Sequence, residues 1–130
     1  MVLGGFMRNL NTVVIEGRLT RDAELKYTNS GFAICNFSVA CNDRRKKGDD
    51  WEDYAHFVDV TILGKFAEII APRLTKGAAA VVNGKLQQNR WQDKDGNNRS
   101  KLEVLCNEIS VYDNKPNNSE DGGFQDDTPF

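Results

Sequence analysis

The stretch FVDVTILGKFAEIIAPRLTKGAAAVV, residues 57–82, decides the architecture, because its hydrophobic period changes twice. Val58, Val60 and Ile62 alternate with Phe57, Asp59, Thr61 and Leu63 as far as Gly64, the period-two pattern of a half-buried strand. Phe66, Ile69, Ile70 and Leu74 then fall at i, i+3, i+4 and i+8, which predicts a short helix with that stripe on the core. Pro72 removes a backbone donor and clashes one turn back, so the helix is expected to kink or break there. Gly77, beside Lys76, stands where a C-terminal cap belongs. Ala80 and Val82 then resume period two.

Outward from this stretch the same period recurs. Ala33, Cys35, Phe37, Val39 and Cys41 alternate with Ile34, Asn36, Ser38, Ala40 and Asn42 and give a strand before it. Asn11–Thr20, with Val13, Val14 and Ile15, gives the first strand, and Gly17 within it suggests a bulge or bend. A charged loop, Arg44 to Lys47 and then Asp49, Asp50, Glu52 and Asp53, is expected between the second and third strands. The fourth strand puts Ala80, Val82 and Leu86 inward and Val81, Asn83, Lys85, Gln87 and Trp91 outward. The fifth starts at Arg99 with Leu102, Val104 and Cys106 inside, after a turn carrying Asp95-Gly96. Five strands with a helix between the third and fourth is the order of an OB-fold, a five-stranded Greek-key barrel in the all-β class with one small helix.

The 130 residues suffice for one domain, 1–112, and the composition (39% hydrophobic, 28% charged) is that of a globular chain. The longest small apolar run, Ala78 to Val82, is far short of a membrane span, so no membrane role is expected. Met1–Phe6 lacks the basic start and apolar core of a signal peptide, which points to the cytoplasm. Cys35, Cys41 and Cys106 form no CxxC pair, and His56 has no partner at zinc spacing, so neither a disulfide framework, nor a metal site, nor any cofactor is expected. With no Gly-rich phosphate loop and no GxSxG, the chain reads as a binding protein without catalytic residues.

Charge is unevenly placed. Residues 1–112 hold 16 Lys+Arg against 14 Asp+Glu, and residues 113–130 hold one Lys against five acids. That second segment, DNKPNNSEDGGFQDDTPF, is poor in apolar residues and reads as a disordered acidic tail. In the body, Phe57 and Leu63 lie on the face of their strand away from Val58, Val60 and Ile62. Trp91 shares parity with Lys85, and Arg99 shares it with Lys101. Aromatics facing out among cations suit single-stranded nucleic acid, whose bases stack while Lys and Arg track phosphates. Arg44, Arg45 and Trp51 repeat the combination, although four neighbouring acids equally suit a solvated hairpin. Asp59, on the face of Phe57, opposes phosphate binding.

Four segments carry a family resemblance: NTVVIEGRLTRDAEL (11–25), GKFAE (64–68), Lys76-Gly77, and Gly84-Lys85-Leu86 through Trp91 to Gly96. In order and nearly without gaps from about residue 9 to residue 112, they resemble the bacterial single-stranded DNA-binding proteins, and FQDDTPF (124–130) resembles that family's acidic tip. The resemblance implies coating of single-stranded DNA with little sequence preference in replication, recombination and repair. It also implies a homotetramer associated with the nucleoid, for which the edge around Asn9 to Val14 is the expected pairing site. Family stacking positions carry over to Phe57 and Trp91. A third is Leu63 here, and a fourth falls near Arg45, with Trp51 the candidate replacement. Lys65, Lys85, Arg90, Arg99, Arg44 and Arg45 are the expected phosphate contacts. Asp126, Asp127, Pro129 and Phe130 are the expected contacts to replication and repair proteins, with Thr128 standing for the usual Ile and Gln125 for a usual acid. Two other readings carry different expectations. A cold-shock-like RNA-binding module would cluster aromatics on strands two and three, and an oligomeric scaffold would bury Phe57 and Trp91 between subunits.

Overall fold

The computed structural model describes residues 8–112. Along them run β1 (Val13–Leu19), β2 (Glu24–Tyr27), β3 (Ala33–Lys47), β4 (Asp50–Leu63), α1 (Lys65–Ile70), a single 3-10 turn (Ala71–Arg73), β5 (Ala79–Gln92) and β6 (Asn98–Tyr112). β1, β5, β6, β4 and β3 pair in that order, and β3 returns to β1, which closes the five-stranded barrel expected of the OB-fold. The seam between β4 and β6 is parallel and short, limited to Val60 against Val104 and Thr61 against Leu105. The segment from residue 113 onward lies outside the described residues.

β2 adds to the five strands read from the sequence. It continues the line of β1 along one edge of β3: Arg18 and Leu19 pair with Ala40 and Val39, and Glu24–Tyr27 pair with Asn36–Ala33. Four residues with only Leu25 half-buried carry too little alternation to show in the pattern. β1 itself starts at Val13, later than expected. Asn11 instead uses its side-chain amide to extend the ladder, donating to Leu86 O (2.7 Å) and accepting from Leu86 N (2.8 Å).

The core gathers the inward residues of every barrel strand, among them Cys35, Phe37, Val39, Val60, Ile62, Ala80, Val82 and Val104. From the helical segment it takes Ala67, Ile70 and Leu74, not Phe66 and Ile69, which are exposed. The α-helix ends after six residues and tightens into the 3-10 turn at Pro72, so the buried stripe runs 67, 70, 74 rather than from Phe66. Gly77 is likewise no cap of α1. At φ 85° it turns the chain back to the barrel, its N–H donating to Leu19 O (2.9 Å).

Gly17 pairs in register with Ala80, without the expected bulge. A Cβ there would stand 2.5 Å from Ala40 O, so glycine permits the approach of β1 to β3 that closes the barrel. The bulge lies instead at Asn83/Gly84, where a Cβ would stand 2.1 Å from Leu105 O.

Both long hairpins overrun the barrel. β3 and β4 stay paired from Ile34–Leu63 to Lys47–Asp50 across a two-residue turn at Gly48-Asp49, so the expected charged loop is a strand-paired arm. Gly48, at φ 63°, supplies the left-handed position that such a turn needs. β5 and β6 project to Gln92–Asn98, and Leu86 and Leu102, expected inside, are exposed, Leu102 at 62%. Beyond the seam no second layer among the described residues lies over the hairpin, so alternation there no longer separates core from solvent.

Candidate nucleic-acid interface

The outward positions of five strands line a groove of about 610 Å³. Ile34 comes from β3, Leu63 from the end of β4 and Trp91 from β5, and these supply its apolar surface. Asn36, Thr61, Gln87, Asn89, Lys101 and Glu103 supply the polar part, with Lys26 reaching in from β2. Each belongs to the set opposite the core stripe of its strand, which is why one surface collects them.

The polar groups are cross-linked. Glu103, only 5% exposed, accepts from Gln87 Nε2 (2.9 Å), and Thr61 Oγ1 lies 3.2 Å from its Oε1 and 2.9 Å from Asn36 Oδ1. The single hydroxyl proton of Thr61 serves one of these acceptors at a time. Lys101 Nζ stands between two carboxylates, 3.5 Å from Asp59 and 3.9 Å from Glu103, and Ser38 Oγ donates to Asp59. Lys101 thus offsets one of the two carboxylates it stands between, which weakens the objection that Asp59 raised to a phosphate-bearing ligand. Lys26 is matched by Glu24 at 3.7 Å. A surface whose cations are already paired leaves stacking and amide hydrogen bonds as its main offering to a ligand.

Of the residues singled out from the sequence, Trp91 (45% exposed) and Leu63 meet in this groove. Phe57, 71% exposed, lies on the same side of β4 six residues before Leu63, about 20 Å away along the strand. Trp51 lies six residues further out on that side, in the arm. Lys65 opens α1 just past Leu63 and Gly64, and Lys85 is exposed opposite Leu105. Arg90 alternates to the other side of its hairpin with Gln88, to which it donates at 2.6 Å. There a second hollow of about 500 Å³ is lined by Arg90, Arg99 and the far side of Trp91. Arg99 is held by Asp93, with Nε donating at 2.8 Å. That guanidinium first, then the backbone N–H of Asn97, keeps the Asp93 carboxyl below its ordinary range. Arg44 pairs with Asp53 at 3.7 Å and Arg45 with Glu52 at 3.4 Å, so part of the arm's positive charge is spent internally.

Asn36, Gln87, Asn89 and Glu103 were not among the sequence candidates, although parity with Trp91, Leu63 or Lys101 places them on the same surface. Lys26 carried no signal because its strand was not legible. The thiols stand apart from all this. Burial pushes Cys35 up, and burial raises Cys106 to about 11, as expected of small core residues.

Comparison with known proteins bears on the whole described region. The model of the Single-strand binding protein family matches residues 10–112. A single-stranded DNA-binding protein of Treponema pallidum is 48% identical over 105 residues, covering 81% of this chain and 59% of that protein. One of Borreliella burgdorferi is 42% identical over 112 residues, covering 85% of this chain and 75% of that protein. The crystal structure of a deletion mutant of the single-stranded DNA binding protein from Thermus aquaticus superposes with a TM-score of 0.71 at 30% identity. It covers 82% of this chain and 52% of that one.

Proposed function

The chain belongs to the Single-strand binding protein family, and from that premise we propose that it binds and coats single-stranded DNA with little sequence preference in replication, recombination and repair. The observation that carries this reading is the line of outward aromatics, Trp91 in the groove and Phe57 about 13 Å along β4 from Thr61 at its edge, on the side of the strands that the core does not use. Stacking tolerates any base, and the groove's paired charges offer no single fixed phosphate site, which together favour sequence-tolerant binding. The family consists of DNA-binding proteins rather than enzymes.

Lys65, Lys85, Arg90, Arg99 and Arg44 are the phosphate contacts of this reading. Titration of Trp fluorescence with dT and rU oligomers at several salt concentrations tests it. The expected slope of log K against log [salt] is about −0.7 per phosphate neutralised, and a flat response or a preference for rU removes the reading.

The assembly proposed is a homotetramer, supported by the edge of β1 from Val13 to Glu16, which among the described residues pairs with β5 on one side only and exposes Val14. Light scattering that gives a monomer mass at micromolar concentration refutes it. Asp126, Asp127, Pro129 and Phe130, outside the described residues, are proposed to bind replication and repair proteins in the cytoplasm, at the nucleoid. An aromatic with nearby acids suits an apolar pocket rimmed by cations. Removing residues 128–130 should abolish capture of such partners and leave DNA binding near normal. Equal capture by the full and shortened chains overturns it.

A further inference from the structure

The β3–β4 arm has two chemically different sides. By strand alternation Asp43, Arg45 and Lys47 share one side with Glu52, Tyr54 and His56, while Arg44 and Lys46 share the other with Trp51, Asp53 and, further in, Phe57. The first side is joined throughout. His56 Nε2 lies 3.4 Å from Asp43 Oδ2, and the His56 ring meets the Tyr54 ring edge-on at 5.1 Å. The Arg45 guanidinium sits 4.1 Å over the Tyr54 ring, and Arg45 and Lys47 reach Glu52 at 3.4 and 3.9 Å. On the second side Arg44 and Asp53 make a 3.7 Å pair, both well exposed, and Lys46 faces Trp51 across the strands.

An arm of this kind needs an internal support. Beyond the barrel it is an isolated two-stranded hairpin, which is marginally stable in water. The single exposed Arg44–Asp53 pair contributes little. The diagonal contacts Asp43–His56 and Arg45–Tyr54 use the reach that long side chains have across neighbouring strands. On the reading that the chain binds single strands, we propose that the run Asp43–His56–Tyr54–Arg45–Glu52 is a spine holding the arm extended, and that only the Arg44–Lys46–Trp51 side takes the nucleic acid. Tyr54 and Arg45 are then positioning residues. Arg45 carries charge without touching phosphate, whereas Lys46, which the first set of candidates omitted, touches it.

The test uses the full chain, with amide hydrogen exchange of residues 43–53 and binding of a labelled dT oligomer across a salt series. Tyr54→Ala should speed exchange in the arm about two- to five-fold, the equivalent of one exposed cation–π contact. Its dT affinity should fall by up to the same factor with the salt slope unchanged, because every cation remains. Tyr54→Phe keeps the ring and should restore both. Arg45→Ala should behave like Tyr54→Ala, and Lys46→Ala should leave exchange alone and reduce the slope by about 0.7. Arg45→Ala that reduces the slope without speeding exchange, or Tyr54→Ala with unaltered exchange, overturns the spine. Failure of the unaltered protein to bind dT defeats the single-strand reading instead, and exchange in Tyr54→Ala still decides whether the spine supports the arm.

Discussion

Replacing Trp91 and Phe57 by Ala, singly and together, tests the stacking surface most directly. Phe57 is 71% exposed and outside the core cluster, so Phe57→Ala should keep its stability to within about 0.5 kcal/mol, whereas Trp91, 45% exposed, covers part of its hairpin and Trp91→Ala should cost about 1–2 kcal/mol without unfolding the barrel. Each stacked base contributes roughly 1–3 kcal/mol, so either variant should lose about 5- to 140-fold in affinity for a dT oligomer. Phe57 stands four residues along β4 from Thr61, the nearest β4 residue lining the Trp91 groove, a separation of about 13 Å that no single base bridges. The two losses should therefore add, and the double variant should lose about 2–6 kcal/mol. Fluorescence anisotropy of an end-labelled dT oligomer measures all four proteins at one salt concentration, with a urea melt of each as the check on folding. Single variants that stay folded and bind within two-fold of the parent would refute the stacking argument. A double variant no weaker than the singles would show that both aromatics serve one base.

Gly84→Ala should destabilise the barrel by about 1–3 kcal/mol in urea unfolding, since its Cβ would fall 2.1 Å from the backbone oxygen of Leu105. An unchanged midpoint would show that the β6 bulge opposite Gly84 yields without cost. Asp93, held low mainly by Arg99 and by the Asn97 N–H, favours the folded turn above its ordinary value of 3.8, and that contribution is lost as pH falls below 3.8 through the lowered value. The protection of the Asp95 and Asn97 amides, taken relative to intrinsic exchange at each pH, should fall in that window, and an identical acid response in Asp93→Asn would assign it to other groups. Cys35 and Cys106, whose thiols burial holds protonated, should resist iodoacetamide at pH 8 in the folded protein and react in urea; rapid labelling of Cys106 in the native state contradicts the burial account.

The barrel was legible in the sequence because strand alternation is local. Val60 and Ile62 against Phe57 and Leu63, or Val82 against Lys85, assign inside and outside from nearest neighbours alone, and the helical interruption at residues 65–74 fixes the order of elements. The outward direction of Trp91 and Phe57 followed from the same rule. Only the tertiary structure decided the rest, because it depends on what lies opposite a residue rather than beside it. Leu86 and Leu102 keep the inward parity yet face solvent, since β4 and β6 meet at only two residue pairs and none of the described residues covers the hairpin beyond them. Asp59 looked like an obstacle to an anion until Lys101, 42 residues later, stood 3.5 Å away. A run of charges read as a loop is a paired arm, because the ion pairs that steady it cross between strands, and a pattern taken along one strand does not record its partner.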